Sequence, residues 1–344
     1  MSQKNNCGLI VCWFGHLPDY KDIWLKSCES NTDFNFLLFT DNREVNNLPS
    51  NVHHYFFTME NFLERVKKFI ITDPSITRSY RVCDFRPMYG VIFENELKAY
   101  DFWGYCDVDV VFGNLKSFIT TELLSNTDAI FNGGHLSVLR NCDRMNQLYK
   151  EDGALFDYQI VTTKDAIFAF DEITGIQNIA RNSNLQATYL IPYIDTEIRF
   201  RQLRSRLDKI NPNTQAYYWE KGYLFRVKVD ENQVFYQEQA YIHLQKREIQ
   251  IISKLGEIDD SFWITPNGFE KKTYYGKPKV EDIIAMNPFL GKNEMKKENM
   301  KYNINKIFNI LSRKPYQIYV RIIQQRSGIN RYQGSIEERI WKRY

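Results

Sequence analysis

The sequence predicts an α/β protein, and three observations carry that prediction. Strand patterns alternate with helical patterns through the first half of the 344 residues, which is typical of strands joined by helices in one sheet. The length is sufficient for one large core, or for a core with an appendage. The composition, 43% hydrophobic and 25% charged, is that of a globular chain, and no apolar run approaches the length that spans a bilayer.

The first half begins with an apolar run that has no cleavage site of small residues, so a first strand is expected there rather than a signal peptide. The helix after Thr58, a good N-cap, spaces its apolar residues helically. The next helix has Pro87 in its first turn and leads into a buried, acidic strand. The strands are predicted at 8–14, 34–42, 52–57 and 103–113, and the helices at 19–31, 59–69 and 84–97.

The second half continues with strands at 128–132 and 135–141 and a helix at 143–150. A helix is also predicted over 162–175, with Thr caps at its start and Gly175 at its end. Residues 185–250 are rich in strand patterns. Gly, Pro and Lys cluster over 251–300, where regular structure is expected to fade.

The acidic strand carries the sharpest chemical signal, since WGYCDVDVVFG places Asp107 and Asp109 inside an apolar run. Residues i and i+2 of a strand point to the same side, so both carboxylates are expected to face one point. Two buried acids are tolerated when a hard divalent cation neutralises them. The alternative is a strand end whose acids cap a helix or pair with Arg. The preceding apolar strand places them at the edge of the sheet where ligands bind.

A second signal is the segment IHLQKRE, in which His243 follows a strand pattern and precedes Lys246 and Arg247. An isolated histidine is more often an ordinary polar residue than a ligand. Here it is able to complete a two-carboxylate metal site, with cations beside it for phosphate oxygens.

Charge is distributed unevenly along the chain. Residues 291–344 contain 13 Lys and Arg against 4 Asp and Glu, whereas residues 1–290 contain 32 against 38. The basic, aromatic tail is expected either to sit on an anionic membrane or acidic partner, or to pack as a solvated helix on its own domain. The acidic body and the absence of a recognised motif argue against nucleic acid as a partner. The six scattered cysteines indicate reduced core thiols of a cytosolic protein.

Four segments in this order, CDFRPMYG, YDFWGYCDVDVVFGNL, GHLSVLRN and FDE, resemble bacterial glycosyltransferases of GT-A fold that build capsule and O-antigen polysaccharides. The resemblance covers roughly residues 7–250. It implies a Rossmann-like domain, with a mixed central sheet between flanking helices. The charge distribution adds a basic helical C-terminal extension to this domain. The resemblance also implies a divalent metal, Mn²⁺ or Mg²⁺, and a nucleotide-sugar donor such as a UDP-sugar.

The resemblance implies roles for individual residues. Asp109 is the expected direct metal ligand, Asp107 contacts metal or ribose, His243 is a further ligand and Lys246 binds the diphosphate. The chain lacks the H-x-x-G-x-x-K-P-W form in which the last two are best known. The ends of the first two strands match places that hold base and ribose, and the CDFRP segment matches an element that contacts donor sugar and phosphate. These positions are Trp13, Phe14, Gly15, Thr40 and Asp41 for the nucleoside, and Asp84 and Arg86 for the donor.

An inverting transfer also needs a carboxylate near the acceptor hydroxyl. Asp171 and Glu172 are the candidates for this base, and ordinary solvation of a helix end is the alternative.

The predicted organisation is a GT-A domain over 1–250 and a basic extension over 251–344. Within the domain, 1–115 is the nucleotide-sugar half and 116–250 the acceptor half. The expected function is metal-dependent transfer of a sugar to a lipid-linked or growing surface glycan, in the cytoplasm or at the inner face of the cell membrane. Two alternatives remain: a haloacid-dehalogenase-like phosphohydrolase with Asp107 as nucleophile, and a non-catalytic protein that binds sugar nucleotides or glycans.

Overall fold

The computed structural model describes residues 6–189, 191–245, 247, 249–251, 260–311, 314–329 and 341–344. It shows a mixed α/β protein, as the sequence predicts. In chain order the strands are β1 (Cys7–Trp13), β2 (Phe34–Thr40), β3 (Val52–Phe56), β4 (Phe102–Cys106), β5 (Val110–Phe112), β6 (Ala129–Asn132), β7 (Leu136–Arg140), β8 (Ala187–Tyr189), β9 (Ile194–Asp195), β10 (Gln215–Glu220), β11 (Tyr223–Asp230), β12 (Gln233–Gln239), β13 (Tyr241–His243), β14 (Gln250–Ile251), β15 (Ser261–Ile264), β16 (Gly268–Lys271) and β17 (Lys342–Arg343).

The α-helices flank these strands. They are α1 (Lys21–Glu29), α2 (Met59–Phe69), α3 (Tyr89–Ile92), α4 (Glu94–Leu97), α5 (Thr121–Ser125), α6 (Asp143–Asn146), α7 (Tyr158–Thr163), α8 (Ile176–Asn182), α9 (Val280–Met286), α10 (Lys292–Leu311) and α11 (Pro315–Arg326). Short 3₁₀ segments occupy Ser79–Met88, Leu115–Ser117 and Leu148–Lys150.

The first sheet contains, among the described residues, seven strands in the order β3-β2-β1-β4-β7-β6-β8. The first four in this order are parallel to one another, and β7 runs antiparallel to both of its neighbours. β1 is apolar throughout because both of its faces are covered: Ile10 packs into one core cluster, and Leu9 and Val11 pack into another. The carboxyl ends of β1, β2 and β4 therefore meet at one edge.

A second sheet of the described residues has the order β14-β16-β15-β10-β11-β12-β17, and a small sheet has the order β5-β13-β9. β15 pairs with β10 and β16 pairs with β15, so this second sheet continues beyond residue 250. The division predicted at residue 250 cuts across it. The expected loss of regular structure over 251–300 is wrong for the part described, because β15, β16, α9 and the start of α10 lie there.

Most of the early elements agree with the sequence patterns, including the helix that begins after Thr58. The Thr58 side chain accepts a hydrogen bond from the Asn61 amide while the Asn61 side chain accepts from the Thr58 amide, which closes a capping box. The single helix predicted over 84–97 is wrong: a 3₁₀ segment ends at Met88 and two short helices follow.

The helix predicted over 162–175 is wrong as well. α7 ends at Thr163, and Gly175 precedes α8 instead of ending a helix. The amides of Phe168 and Phe170 donate to the Asp84 carboxylate, so they are not used in helical hydrogen bonds. A distant side chain thus overrides the local helical pattern.

The two C-terminal helices differ in their surroundings. α11 packs on the first half of the chain: Val320 is buried there, and the Gln317 side chain both donates to and accepts from the backbone of Ile167. α10 is mostly exposed. The packed-helix alternative for the basic tail is therefore correct for α11. None of the described helices is long and apolar enough to cross a membrane.

The cysteines, all of which lie in the described part of the chain, are free thiols. Cys7, Cys28 and Cys106 are buried, as predicted, whereas Cys142 is exposed and is not a core thiol.

Candidate metal centre

The acidic pair lies in a bend between two sheets. β4 ends at Cys106 and β5 begins at Val110, so Asp107 and Asp109 are outside regular strand structure. The expectation that the pleat of one strand turns both acids to the same side is therefore wrong. The bend nevertheless follows the carboxyl end of β4, at the sheet edge where open α/β sheets bind ligands.

His243 reaches the acids because β13 pairs antiparallel with β5, which sets His243 opposite Val110. Its Nε2 atom is 3.5 Å from Asp109 Oδ1 and 3.9 Å from Asp107 Oδ2. One ligand atom from each of the three side chains lies within 4.8 Å of the others. The structure thus brings together the three residues that the sequence analysis assigned to a metal.

Asp195 supports His243 from behind, although no motif in the sequence indicated it. β9 runs parallel to β13 and pairs Asp195 with His243. The Nδ1 atom of His243 is 3.0 Å from Asp195 Oδ1. A carboxylate on Nδ1 holds the proton there and leaves Nε2 for a metal. The only sequence signal was a single acid in a weak strand pattern, which is not distinctive.

Burial and charge shift the pKa values of this group. Burial lowers the pKa of His243, but Asp109 and Asp195 outweigh it and raise that pKa to about 10. Burial raises the pKa of Asp107, and Arg86 opposes that rise. Because one imidazole nitrogen takes either a proton or a metal, binding of a cation here releases a proton.

The donor set fits a divalent cation. The two carboxylate oxygens suit Mg²⁺ or Mn²⁺, and the imidazole nitrogen favours Mn²⁺ of the two. Ligands at about 2.1 Å from an octahedral ion lie about 3 Å from one another. The 3.5 Å and 3.9 Å separations at His243 therefore need to close by less than about 1 Å.

Arg86 connects the acidic bend to the rest of the site. Its guanidinium donates to Asp107 Oδ1, to Asp171 Oδ2 at 2.9 Å and to the Gly134 carbonyl at 2.6 Å. The other Asp107 oxygen faces His243. Asp107 is therefore held by Arg86 through one oxygen while its second oxygen stays directed to the metal position.

Asp84 has a structural role, although it was expected to contact the sugar and phosphate of the nucleotide-sugar donor. It is 1% exposed, pairs with Arg81 and accepts the amides of Phe168 and Phe170. These partners use both carboxylate oxygens. Asp84 fixes the segment that leads to Asp171.

The two base candidates differ in exposure. Asp171 is 4% exposed and its Oδ2 is taken by Arg86, whereas Glu172 is only partly buried. Burial raises the pKa of Asp171 well above its usual value, and Arg86 counteracts this. A Cβ at Gly134 would stand 2.8 Å from Asp171 Oδ2 and 2.9 Å from Glu172 Cγ, so glycine permits this close approach. Glu172 is the more accessible carboxylate.

The ends of β1 and β2 are tied together beside the acidic bend. The Gly15 amide donates to Asp41 Oδ1 at 2.9 Å, and Asn42 Nδ2 donates to the Gly15 carbonyl at 2.8 Å. Gly15 has φ +99°, which favours glycine. Trp13 Nε1 donates to the His16 carbonyl at 2.9 Å. The loops after β1 and β2 thus bring together Trp13, Gly15 and Asp41 at the sheet edge where a nucleoside is expected.

Other predicted contacts are less accessible. Thr40 is fully buried, and its Oγ1 accepts from Asn42 at 2.7 Å. Phe14 packs against Phe57 and Phe62, with ring centroids 6.4 Å and 6.1 Å away. Both residues support the edge from within.

Of the two cations after His243, Lys246 lies outside the described residues. Arg247 was expected near phosphate oxygens, but its guanidinium donates to the carbonyls of Glu197, Phe200 and Arg201. Arg247 therefore fixes a loop.

The charges of the acids also act on two tyrosines that the sequence did not indicate. Burial, followed by Asp109 and Asp107, raises the pKa of Tyr20. Burial raises the pKa of Tyr80, and Asp171, Glu172 and Asp107 add to that rise. Tyr80 is 48% exposed.

Replacement of Asp195 by asparagine should weaken metal binding by about 10- to 100-fold, since the imidazole loses the carboxylate that orients it. Calorimetric titration with Mn²⁺ measures this. Asp230→Asn, at an exposed position paired with Lys228, is the control that should leave affinity unchanged. Equal affinities for wild type and Asp195→Asn would contradict a role for Asp195 in orienting His243.

Comparison with known proteins identifies a family but assigns no activity to it. Among curated proteins, none matches the chain. One family model matches residues 9–273, a span that begins in β1, includes every member of the metal centre and ends just after β16. The chain belongs to that family, DUF6625, which is described as a family of unknown function.

Proposed function

We propose that the protein is a metal-dependent glycosyltransferase of GT-A type that moves a sugar from a nucleotide donor, a UDP-sugar in the first instance, to a hydroxyl of a lipid-linked or growing surface glycan. The observation that carries the proposal is the convergence of Asp107, Asp109 and His243 after the carboxyl end of a parallel strand. The resemblance of the surrounding motifs to polysaccharide glycosyltransferases supplies the reaction class.

In this proposal Asp109 and His243 would hold Mn²⁺ or Mg²⁺, and Asp107 would share the site while Arg86 keeps its carboxylate in place. A bound ion would supply positive charge to stabilise the diphosphate leaving group. Trp13, Gly15 and Asp41 lie at the edge where a nucleoside is expected.

The bond from the sugar C1 to the diphosphate breaks, and a bond from C1 to the acceptor oxygen forms. For an inverting transfer, Glu172 takes the acceptor proton, because it is the more exposed of the two candidate bases. Asp171 keeps Arg86 in position instead.

The phosphohydrolase alternative is less favoured by this geometry. A nucleophilic Asp107 needs a carboxylate oxygen free to attack phosphorus, yet one oxygen is held by Arg86 and the other faces His243. The histidine and the second acid fit a ligand set better.

Calorimetric titration with a panel of UDP-sugars, with and without Mn²⁺, tests the proposal. We expect one UDP-sugar to bind only with the metal and to be turned over when a glycan acceptor is added. Absence of binding by every nucleotide sugar tested would contradict the donor assignment. Metal-dependent binding without turnover would favour the non-catalytic alternative.

The proposal places the protein in the cytoplasm, with a peripheral contact at the inner face of the cell membrane through the basic tail. The cationic and apolar residues of α10 support this contact.

A further inference from the structure

A cleft of about 390 Å³ lies between the segment 197–206 and α10, outside the metal centre. Arg199, Arg206 and Lys306 line it, together with Glu197 and Tyr302. Arg199 donates a hydrogen bond of 2.7 Å to the Glu197 carboxylate, and Arg206 pairs with Asp195 behind the cleft. The three cationic side chains are thus opposed by two carboxylates. The one positive charge in excess suits an anionic ligand.

The walls of the cleft are held in place by specific contacts. The Arg201 amide donates to the Glu298 carboxylate of α10 at 2.8 Å, which joins the helix to the segment. Arg247 donates to the carbonyls of Glu197, Phe200 and Arg201. Arg199 and Arg206 therefore project from a loop that these hydrogen bonds hold in place.

The cleft adjoins the metal centre through two side chains. Arg206 Nη1 is 3.4 Å from Asp195 Oδ2, and the other Asp195 oxygen is 3.0 Å from His243 Nδ1. A ligand bound by Arg206 thus lies one carboxylate away from a candidate metal ligand. The cleft is connected to the Nδ1 side of His243, and the metal position lies on its Nε2 side.

The outward face of α10 is apolar. Met300, Ile304, Ile307 and Phe308 are 62%, 46%, 57% and 64% exposed, and their spacing puts them on one side of the helix. Tyr302 and Lys306 line the cleft from a different side. Lysines flank the apolar face along the helix. An exposed apolar face with cations beside it is typical of a helix that lies in a membrane interface.

We infer that the cleft binds the phosphate headgroup of a lipid-linked acceptor, and that the apolar face of α10 contacts the acyl region of the membrane that holds this lipid. The identification of the bound lipid as the acceptor rests on the proposed function. The positive charge of the cleft favours a phosphate group. The exposed apolar face of α10 beside the cleft favours a lipid over a free anion.

Vesicle sedimentation tests the headgroup site. Phosphatidylcholine vesicles contain either phosphatidic acid or phosphatidylserine at matched surface charge. We expect the wild-type protein to prefer phosphatidic acid, because this lipid has an exposed phosphate.

Lys306→Gln should abolish the preference for phosphatidic acid. Lys296→Gln, which changes the same helix outside the cleft, should weaken binding to both vesicles alike, by about fivefold, and keep the preference. Equal binding to both vesicles by the wild type, or equal effects of the two substitutions, would overturn the inference.

A second experiment distinguishes binding of a lipid from binding of free phosphate. Ile304→Ser with Ile307→Ser should reduce vesicle binding at least about tenfold, since two exposed apolar side chains no longer enter the interface. Ile210→Ser, at a position 90% exposed elsewhere, is the matched control. Full displacement of the protein from vesicles by inorganic phosphate, with no effect of the double substitution, would show an anion site that is independent of lipid.

The same variants separate this inference from the proposed function. Lys306→Gln should bind the UDP-sugar as the wild type does, because Lys306 is not part of the metal centre. If the wild type binds no nucleotide sugar but keeps the phosphatidic acid preference, the proposed function fails and the lipid site stands. If donor binding is normal and the preference is absent, the lipid site fails alone.

Discussion

Replacement of Asp109 by asparagine should weaken metal-dependent binding of the UDP-sugar by more than about 100-fold, because loss of a side chain that only orients a ligand already costs about 10- to 100-fold. The amide removes one negative charge and one strong oxygen donor, and it leaves His243 without the acid 3.5 Å from its Nε2. Calorimetric titration of the UDP-sugar in the presence of Mn²⁺ measures the loss.

The chain offers a matched control for this substitution. Asp101 immediately precedes β4, at the end opposite to Asp107, and its carboxylate accepts only an exposed amide among the contacts described. Asp101→Asn should leave donor binding unchanged. Wild-type affinity in Asp109→Asn would remove this residue from the metal site and the main support of the proposed function with it.

Replacement of Arg86 by methionine should lower the free energy of unfolding by about 3–5 kcal/mol, because removing one partner of a buried ion pair leaves uncompensated charge. Here two carboxylates, those of Asp107 and Asp171, lose the same cation, and the Gly134 carbonyl loses a donor. Both acids are largely enclosed. Urea denaturation at neutral pH measures the change.

Two variants test whether that effect arises from the buried network. Arg144→Met removes an exposed ion pair with Glu151 and should cost no more than about 1 kcal/mol. Adding Asp171→Asn to Arg86→Met removes one of the orphaned charges and should recover part of the stability. A loss in Arg86→Met no larger than that in Arg144→Met would refute the network as a source of stability.

The sequence patterns correctly predicted those strands and helices whose structure depends on the residues within the element itself. β1 and β2 are apolar because helices cover both faces of the sheet, and α2 begins where Thr58 closes a capping box. The pattern failed over 162–175 because the competing contact comes from far along the chain: Asp84 captures the Phe168 and Phe170 amides. No local signal contains that information.

The candidate site was predicted where residue type is distinctive. An acidic pair at the end of an apolar strand and one of few histidines stand out in the sequence, and the β5–β13 pairing unites them. Asp195 and Tyr80 are common residue types in weak patterns, and only strand pairing and loop folding bring them to the site. Asp84 stood in a distinctive motif, yet its role is structural, because its partners are backbone amides that a sequence does not display.

The most direct test of the metal centre is anomalous diffraction from crystals grown with Mn²⁺ and UDP. The prediction is a manganese peak within coordination distance of Asp109 Oδ1 and His243 Nε2, on the side of Asp107 that faces away from Arg86, with the diphosphate bound to the same ion. A peak elsewhere, or UDP bound at this edge without metal near these three side chains, would contradict the assignment of Asp107, Asp109 and His243 as the site that joins metal to donor.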